Sequence, residues 1–166
     1  MKTDRRTIIG GGAAAAVAAF ALSILPGRRD MASAAVAYPV TLSDAEWRKR
    51  LSPAAYRVLR QEDTERPGSS PLNNEHRHGI FGCAGCNNPV FRSDNKFDSG
   101  TGWPSFDRAI PGHVLTKTDR MMLMSRTEVH CVRCGGHLGH VFDDGPKPTG
   151  KRYCMNGVAM RFFPRA

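Results

Sequence analysis

Cys131-Val132-Arg133-Cys134-Gly135-Gly136-His137-Leu138-Gly139-His140-Val141-Phe142 is the stretch whose reading decides the fold. A cysteine at i and i+3 puts both sulfurs inside one tight turn, the glycines let the backbone curl, and His140-Val141-Phe142 reads as a strand leaving it. The spacing recurs at Cys83-Ala84-Gly85-Cys86. Two such turns brought together offer four thiolates at about 2.3 Å from a structural Zn²⁺, so Cys83, Cys86, Cys131 and Cys134 are the expected ligands of one zinc ion. Two disulfides, or one redox dithiol with an accessory pair, are the competing uses of the same sulfurs. His76, His78 and His130 lie near the knuckles as substitute ligands, although surface or supporting roles suit them better.

The 44 residues between the knuckles mean that much of the fold lies inside the loop the metal closes. Pro89-Val90-Phe91, Met121 to Met124, Val129 to Val132, His140-Val141-Phe142 and Val158 to Phe163 are short apolar or alternating segments among frequent Gly and Pro. They predict a mainly β fold, as two packed antiparallel sheets or a partly closed barrel. Short helices come first. Ser43-Asp44-Ala45-Glu46 is a capping box opening a helix to about Arg50, and Ser52-Pro53 starts a second helix with Tyr56, Val58 and Leu59 available for burial.

Residues 1–37 read as a targeting segment. Arg5-Arg6 precedes an apolar, Ala- and Gly-rich stretch from Ile8 to Leu25, and small-residue sites follow at Ala32-Ser33-Ala34 and Ala35-Val36-Ala37. This pattern resembles a cleaved twin-arginine export signal, so a periplasmic domain over 38–166 is expected, with the membrane met only in transit. An uncleaved membrane anchor is the alternative. Folding before export would load the zinc in the cytosol and protect its thiolates from oxidation. The segment holds five basic and two acidic residues, which leaves about six of the chain's nine net positive charges on the domain. That surplus does not call for nucleic acid.

Cys154, in Arg152-Tyr153-Cys154-Met155-Asn156, is the fifth cysteine and has no sulfur partner. On a strand, Arg152 and Asn156 share its face, flanking the sulfur with a cation and an amide, and a cation is expected to lower a thiol pKa. His137 and His140 follow the second knuckle, so the metal would fix the backbone carrying two proton-transfer groups.

These residues also carry a resemblance. Ser99-Gly100-Thr101-Gly102-Trp103-Pro104-Ser105-Phe106, the run from Cys131 to Pro146 and Arg152 to Asn156, with Thr64-Glu65 and Lys96-Phe97-Asp98, are similar to the peptide-methionine (R)-S-oxide reductase family, B type, from about Leu42 to Pro164. The resemblance implies a β-rich fold with a four-cysteine zinc site, a catalytic cysteine at Cys154, and active-site roles for His137, His140, Asn156, Arg152 and Trp103. It implies the R epimer of methionine sulfoxide as substrate.

The residues fit that chemistry. A sulfoxide has an electrophilic sulfur and a basic oxygen, so its reduction needs a soft nucleophile and a proton. Cys154 is expected to attack, His137 or His140 to deliver the proton, Arg152 and Asn156 to orient the group, and Trp103 to wall the S-methyl pocket. Family members often carry a second cysteine where this chain has Thr101. Its absence predicts a one-cysteine cycle completed by an external thiol or a thioredoxin-like reductant, or at the expense of a zinc cysteine. Oxidised proteins are the expected partners, acted on by a monomer that repairs oxidative damage. A zinc-knuckle thiol oxidoreductase and a zinc-knuckle binding module are the alternatives; the binding module leaves Cys154 and the histidine pair without a use, and metal content separates the oxidoreductase.

Overall fold

The computed structural model describes residues 37–119 and 125–165. Apart from Ala37, the export-signal reading of residues 1–37 falls outside them, as does the strand expected at Met121 to Met124. No helix among the described residues is long and apolar enough to cross a membrane.

Both helices begin where the sequence caps them. The Ser43 hydroxyl accepts from Glu46 N at 3.3 Å, and Glu46 Oε2 accepts from Ser43 N at 2.7 Å, opening α1 (Asp44–Arg50). Ser52 caps Ala55 N at the start of α2 (Pro53–Gln61), and Glu62 ends it in the left-handed region at φ 57°. Such caps contribute about 1 kcal/mol each, too little to hold helices this short. Packing supplies the rest, since Trp47, Tyr56, Val58 and Leu59 are buried against the sheets.

Among the described residues nine strands form two antiparallel sheets, and no barrel closes. The smaller has the order β2 (Pro89–Arg92), β1 (Gly79–Cys83), β9 (Met160–Pro164). The larger runs β3 (Lys96–Phe97), β4 (Ser105–Phe106), β8 (Arg152–Met155), β7 (His137–Phe142), β6 (Arg126–Cys131), β5 (Val114–Asp119). Phe106 joins the sheets: its ring stacks on Phe91 at 4.4 Å between centroids and meets Phe81 edge-on at 5.0 Å. All three are fully buried, and each contributes on the order of 2–3 kcal/mol through burial. The expected segments at 89–91, 129–132, 140–142 and 158–163 fall on β2, β6, β7 and β9. Strands β1 and β5 had no alternating signal. The tail of β5, Thr116-Lys117-Thr118, is exposed at the sheet edge.

The two knuckles fold alike. Asn87 N donates to Cys83 O and Gly135 N to Cys131 O, while Cys83 N donates to Asn88 O and Cys131 N to Gly136 O. Asn87 and Gly135 both sit at positive φ, 57° and 66°, the conformation that Asn and Gly tolerate best. Each hairpin then bulges, at Val90 between β1 and β2 and at Leu138 between β6 and β7, and both of those residues are fully buried.

Candidate active site

The knuckles bring four buried thiols together, with every sulfur within 4.8 Å of the others. Cys83 Sγ lies 3.6 Å from Cys134 Sγ, and Cys86 Sγ lies 3.5 Å from Cys131 Sγ. A disulfide would need about 2.05 Å, whereas a zinc tetrahedron with 2.3 Å bonds has edges of about 3.8 Å. The donor set therefore fits one structural Zn²⁺. Asn88 Nδ2 supports it by approaching Cys131 Sγ at 3.4 Å while donating to His113 O at 2.9 Å. None of His76, His78 and His130 joins the cluster among the described residues. His78 faces Asp94 at the surface, and His130 packs edge-on against Tyr38.

A metal held there would tie down β7, and β7 carries the histidines. In a regular strand residues three apart face opposite sides of the sheet. Leu138 is the extra residue of the bulge, Val129 pairing with Gly139 but His130 with His137, so the bulge turns His137 onto the face of His140. Their rings meet edge-on at 5.3 Å. Across the strands, Lys117, Glu128, His140, Cys154 and Ser105 are successive direct partners and form one row on that face. Gly139 permits the approach of β8, because a Cβ there would run into the Cys154 carbonyl.

Cys154 lies at a cavity of about 130 Å³ that is also lined by Thr64, Trp103, Arg126, Gly139, His140, Phe142 and Asn156. Trp103 is half-buried, and its indole N–H donates to Glu65 O at 3.1 Å, which fixes the ring at the rim. Asn156 is used differently from the expectation that its amide would flank the sulfur. Its Oδ1 accepts from Glu65 N at 2.9 Å and its Nδ2 donates to Leu138 O at 3.2 Å, so it braces the cavity wall. Glu65 in turn accepts from the Gly157 and Val158 amides, which ties the loop after α2 to the end of β8.

Burial pushes the Cys154 thiol up, outweighing hydrogen bonding from Thr101 and the charge of Arg152. Arg152 lowers it as expected, but burial makes the net shift upward. Besides Cys154, the guanidinium holds Asp144 in a bidentate pair at 2.7 and 2.8 Å and lies over the Phe142 ring at 4.5 Å. Burial also lowers both imidazoles, His137 to about 4. His137 Nδ1 faces Glu128 Oε1 at 2.8 Å, and His140 Nε2 faces Asp119 Oδ2 at 3.0 Å. A carboxylate only accepts, so each neutral ring commits its single N–H to a carboxylate and keeps a lone pair on the other nitrogen.

Sequence reasoning passed over Arg126, Phe142, Asp119 and Glu128. The available signal was a charged residue at alternate positions of a strand beside the second knuckle, since Arg126 and Glu128 flank Thr127 on β6.

The chain is similar to known proteins over most of its length. The SelR domain family matches residues 51–164. A protein named peptide methionine sulfoxide reductase MsrB from Agrobacterium fabrum is 52% identical over 126 residues, covering 75% of this chain and 93% of its own length. Its namesake from Bradyrhizobium diazoefficiens is 53% identical over 127 residues, covering 76% and 91%. Peptide methionine sulfoxide reductase B1, chloroplastic, of Arabidopsis thaliana is 50% identical over 122 residues, covering 73% and 60%. With its four-thiol cluster and its lone cysteine set across from a histidine, this chain belongs to the SelR domain family of MsrB proteins.

Proposed function

We propose that this protein reduces methionine (R)-sulfoxide in proteins to methionine, with Cys154 as the nucleophile. The observation that carries the reading is Cys154 at a cavity walled by Trp103, directly across the strands from His140. The thiol sulfur attacks the sulfoxide sulfur and the oxygen passes to it; the thiol proton ends on that oxygen, leaving methionine and Cys154 sulfenic acid. Atoms balance, with methionine sulfur gaining two electrons and Cys154 sulfur losing two. No outside proton donor is needed, which suits two neutral histidines whose N–H groups are already committed. The raised Cys154 pKa keeps that proton available, and an imidazole lone pair relays it.

Trp103 offers its face and edge to the substrate's S-methyl group. Arg152 acts through its charge near Cys154 and by holding Asp144, and Asn156 through the wall it braces. Cys83, Cys86, Cys131 and Cys134 would hold a zinc ion that would clamp the two hairpins, apart from the redox step. The sulfenic acid is then met by an external thiol, giving a mixed disulfide and water, and a second thiol releases Cys154. The export signal read in residues 1–37 makes oxidised exported proteins the natural substrates.

Turnover of separated R and S sulfoxide epimers with dithiothreitol tests the reading, zinc being measured on the same sample. Reduction of the R epimer alone is expected, lost in Cys154→Ser while zinc stays bound. Retained turnover in that variant overturns it.

A further inference from the structure

We propose that Arg126 is a substrate-binding residue, its guanidinium donating a hydrogen bond to the sulfoxide oxygen and stabilising the negative charge that gathers there as Cys154 attacks. The proposal deepens the sulfoxide-reducing reading above and rests on it.

Arg126 opens β6 and lines the Cys154 cavity. Among the described residues of that wall it carries the one fixed positive charge, and Arg152, expected from the sequence to orient the substrate, is not part of the wall. The charged head is placed from β5. Asp119 lies directly opposite Arg126, and its Oδ2 meets Arg126 Nη2 at 2.9 Å and His140 Nε2 at 3.0 Å. One carboxylate oxygen thus sets the guanidinium beside the ring that lies across the strands from Cys154. The charge of Arg126 accordingly adds to the lowering of both imidazoles. Its side chain is 32% exposed, so it is open to a ligand entering the cavity.

The donors of the wall single it out. A sulfoxide oxygen only accepts. Trp103 has given its N–H to Glu65 O, His140 turns its own to Asp119, Asn156 donates to Leu138 O, and Thr64 is exposed to water. A guanidinium has five N–H groups, and the hydrogen bonds of this one to described residues go to Asp119 alone. A guanidinium also does not give up a proton in a protein. It can therefore hold the oxygen without entering the proton balance, which stays between Cys154 and the substrate. As the thiol sulfur closes on the sulfoxide sulfur, electrons move onto the oxygen, and a fixed cation there stabilises the transition state more than the bound substrate.

Two measurements separate this from a purely structural role as the counter-ion of Asp119. Arg126→Met in the zinc-loaded full chain is expected to lose about 10²-fold in kcat on N-acetyl-methionine (R)-sulfoxide methylamide, the size of one lost oxyanion donor, with Arg126→Lys recovering part of it. In a Cys154→Ser background, which binds without turnover, Arg126→Met is expected to weaken binding of that sulfoxide about tenfold, as for a hydrogen bond to a charged group, and to leave binding of the matching methionine thioether unchanged. The two ligands differ only in the oxygen. Equal losses for both, as a contact to the peptide carbonyl or a collapsed wall would give, or no loss for either, overturn the proposal; so does a wild-type kcat in Arg126→Met. Should Arg126→Met fail to fold, Arg126→Gln carries the same pair of measurements. Absence of R-sulfoxide turnover in the wild type would sink the functional reading instead and leave the binding comparison standing.

Discussion

Thr101 Oγ1 lies 3.8 Å from Cys154 Sγ, so a hydroxyl stands where a second sulfur would be needed to capture a sulfenic acid. The other four sulfurs are gathered at the metal cluster. Thr101→Cys is therefore expected to form a 101–154 disulfide after one turnover with a sulfoxide substrate and no reductant, seen by non-reducing peptide mapping. The wild type is expected to give a sulfenic acid that dimedone traps at Cys154. An intramolecular disulfide to Cys154 in zinc-loaded wild type would refute the one-cysteine cycle.

Metal removal should disarm the site without touching it. The zinc ligands fix the hairpin from which β7 leads to His137 and His140, so Cys131→Ser or a strong chelator is expected to lower Tm by more than about 10 °C and to abolish turnover. Calorimetry with metal analysis checks this, and a zinc-free chain of unchanged Tm would contradict it.

Acid should cost stability through His137. Its folded pKa is depressed by burial to about 4, against about 6.5 when unfolded. Between those values the unfolded chain binds the proton that the folded one refuses, so the stabilising contribution is complete above pH 6.5 and falls as pH drops toward 4, by about 3 kcal/mol for this group. Denaturant titrations of wild type and His137→Gln across that window should show a shallower loss in the variant. Parallel curves would rule out His137 as the titrating group.

Gly139 is a tight crossing beside Cys154. A methyl there would strike the Cys154 carbonyl on β8, so Gly139→Ala is expected to cost about 3 kcal/mol and to displace β8 from β7. Denaturation midpoints with turnover of the surviving folded fraction measure both effects. A variant with wild-type stability and kcat would show that the strands are not held at this distance.

Much of this was readable locally. Ser43 with Glu46, and Ser52 with Pro53, cap helices through groups within three or four residues, so α1 and α2 begin where their sequences say. The paired Cys-x-x-Cys turns were equally plain, because one turn fixes each pair and four thiols in two turns have few other uses. Strand β5 was not readable: its exposed Thr116-Lys117-Thr118 has no apolar alternation, and pairing with β6 makes it a strand.

By itself the sequence determined the chemical inventory of the protein: four cysteines spaced for a metal, one more without a sulfur partner, two imidazoles after the second knuckle, and a hydroxyl at Thr101. Only the tertiary structure decided how that inventory is poised. A single bulged residue, Leu138, turns His137 to the side of His140, and strands β5 and β6 bring Asp119 and Glu128 to the two rings. Burial then sets the protonation, raising Cys154 against the nearby charge of Arg152. The reason is physical: facing direction and desolvation depend on which strands lie alongside, and that is settled by contacts far apart in the chain.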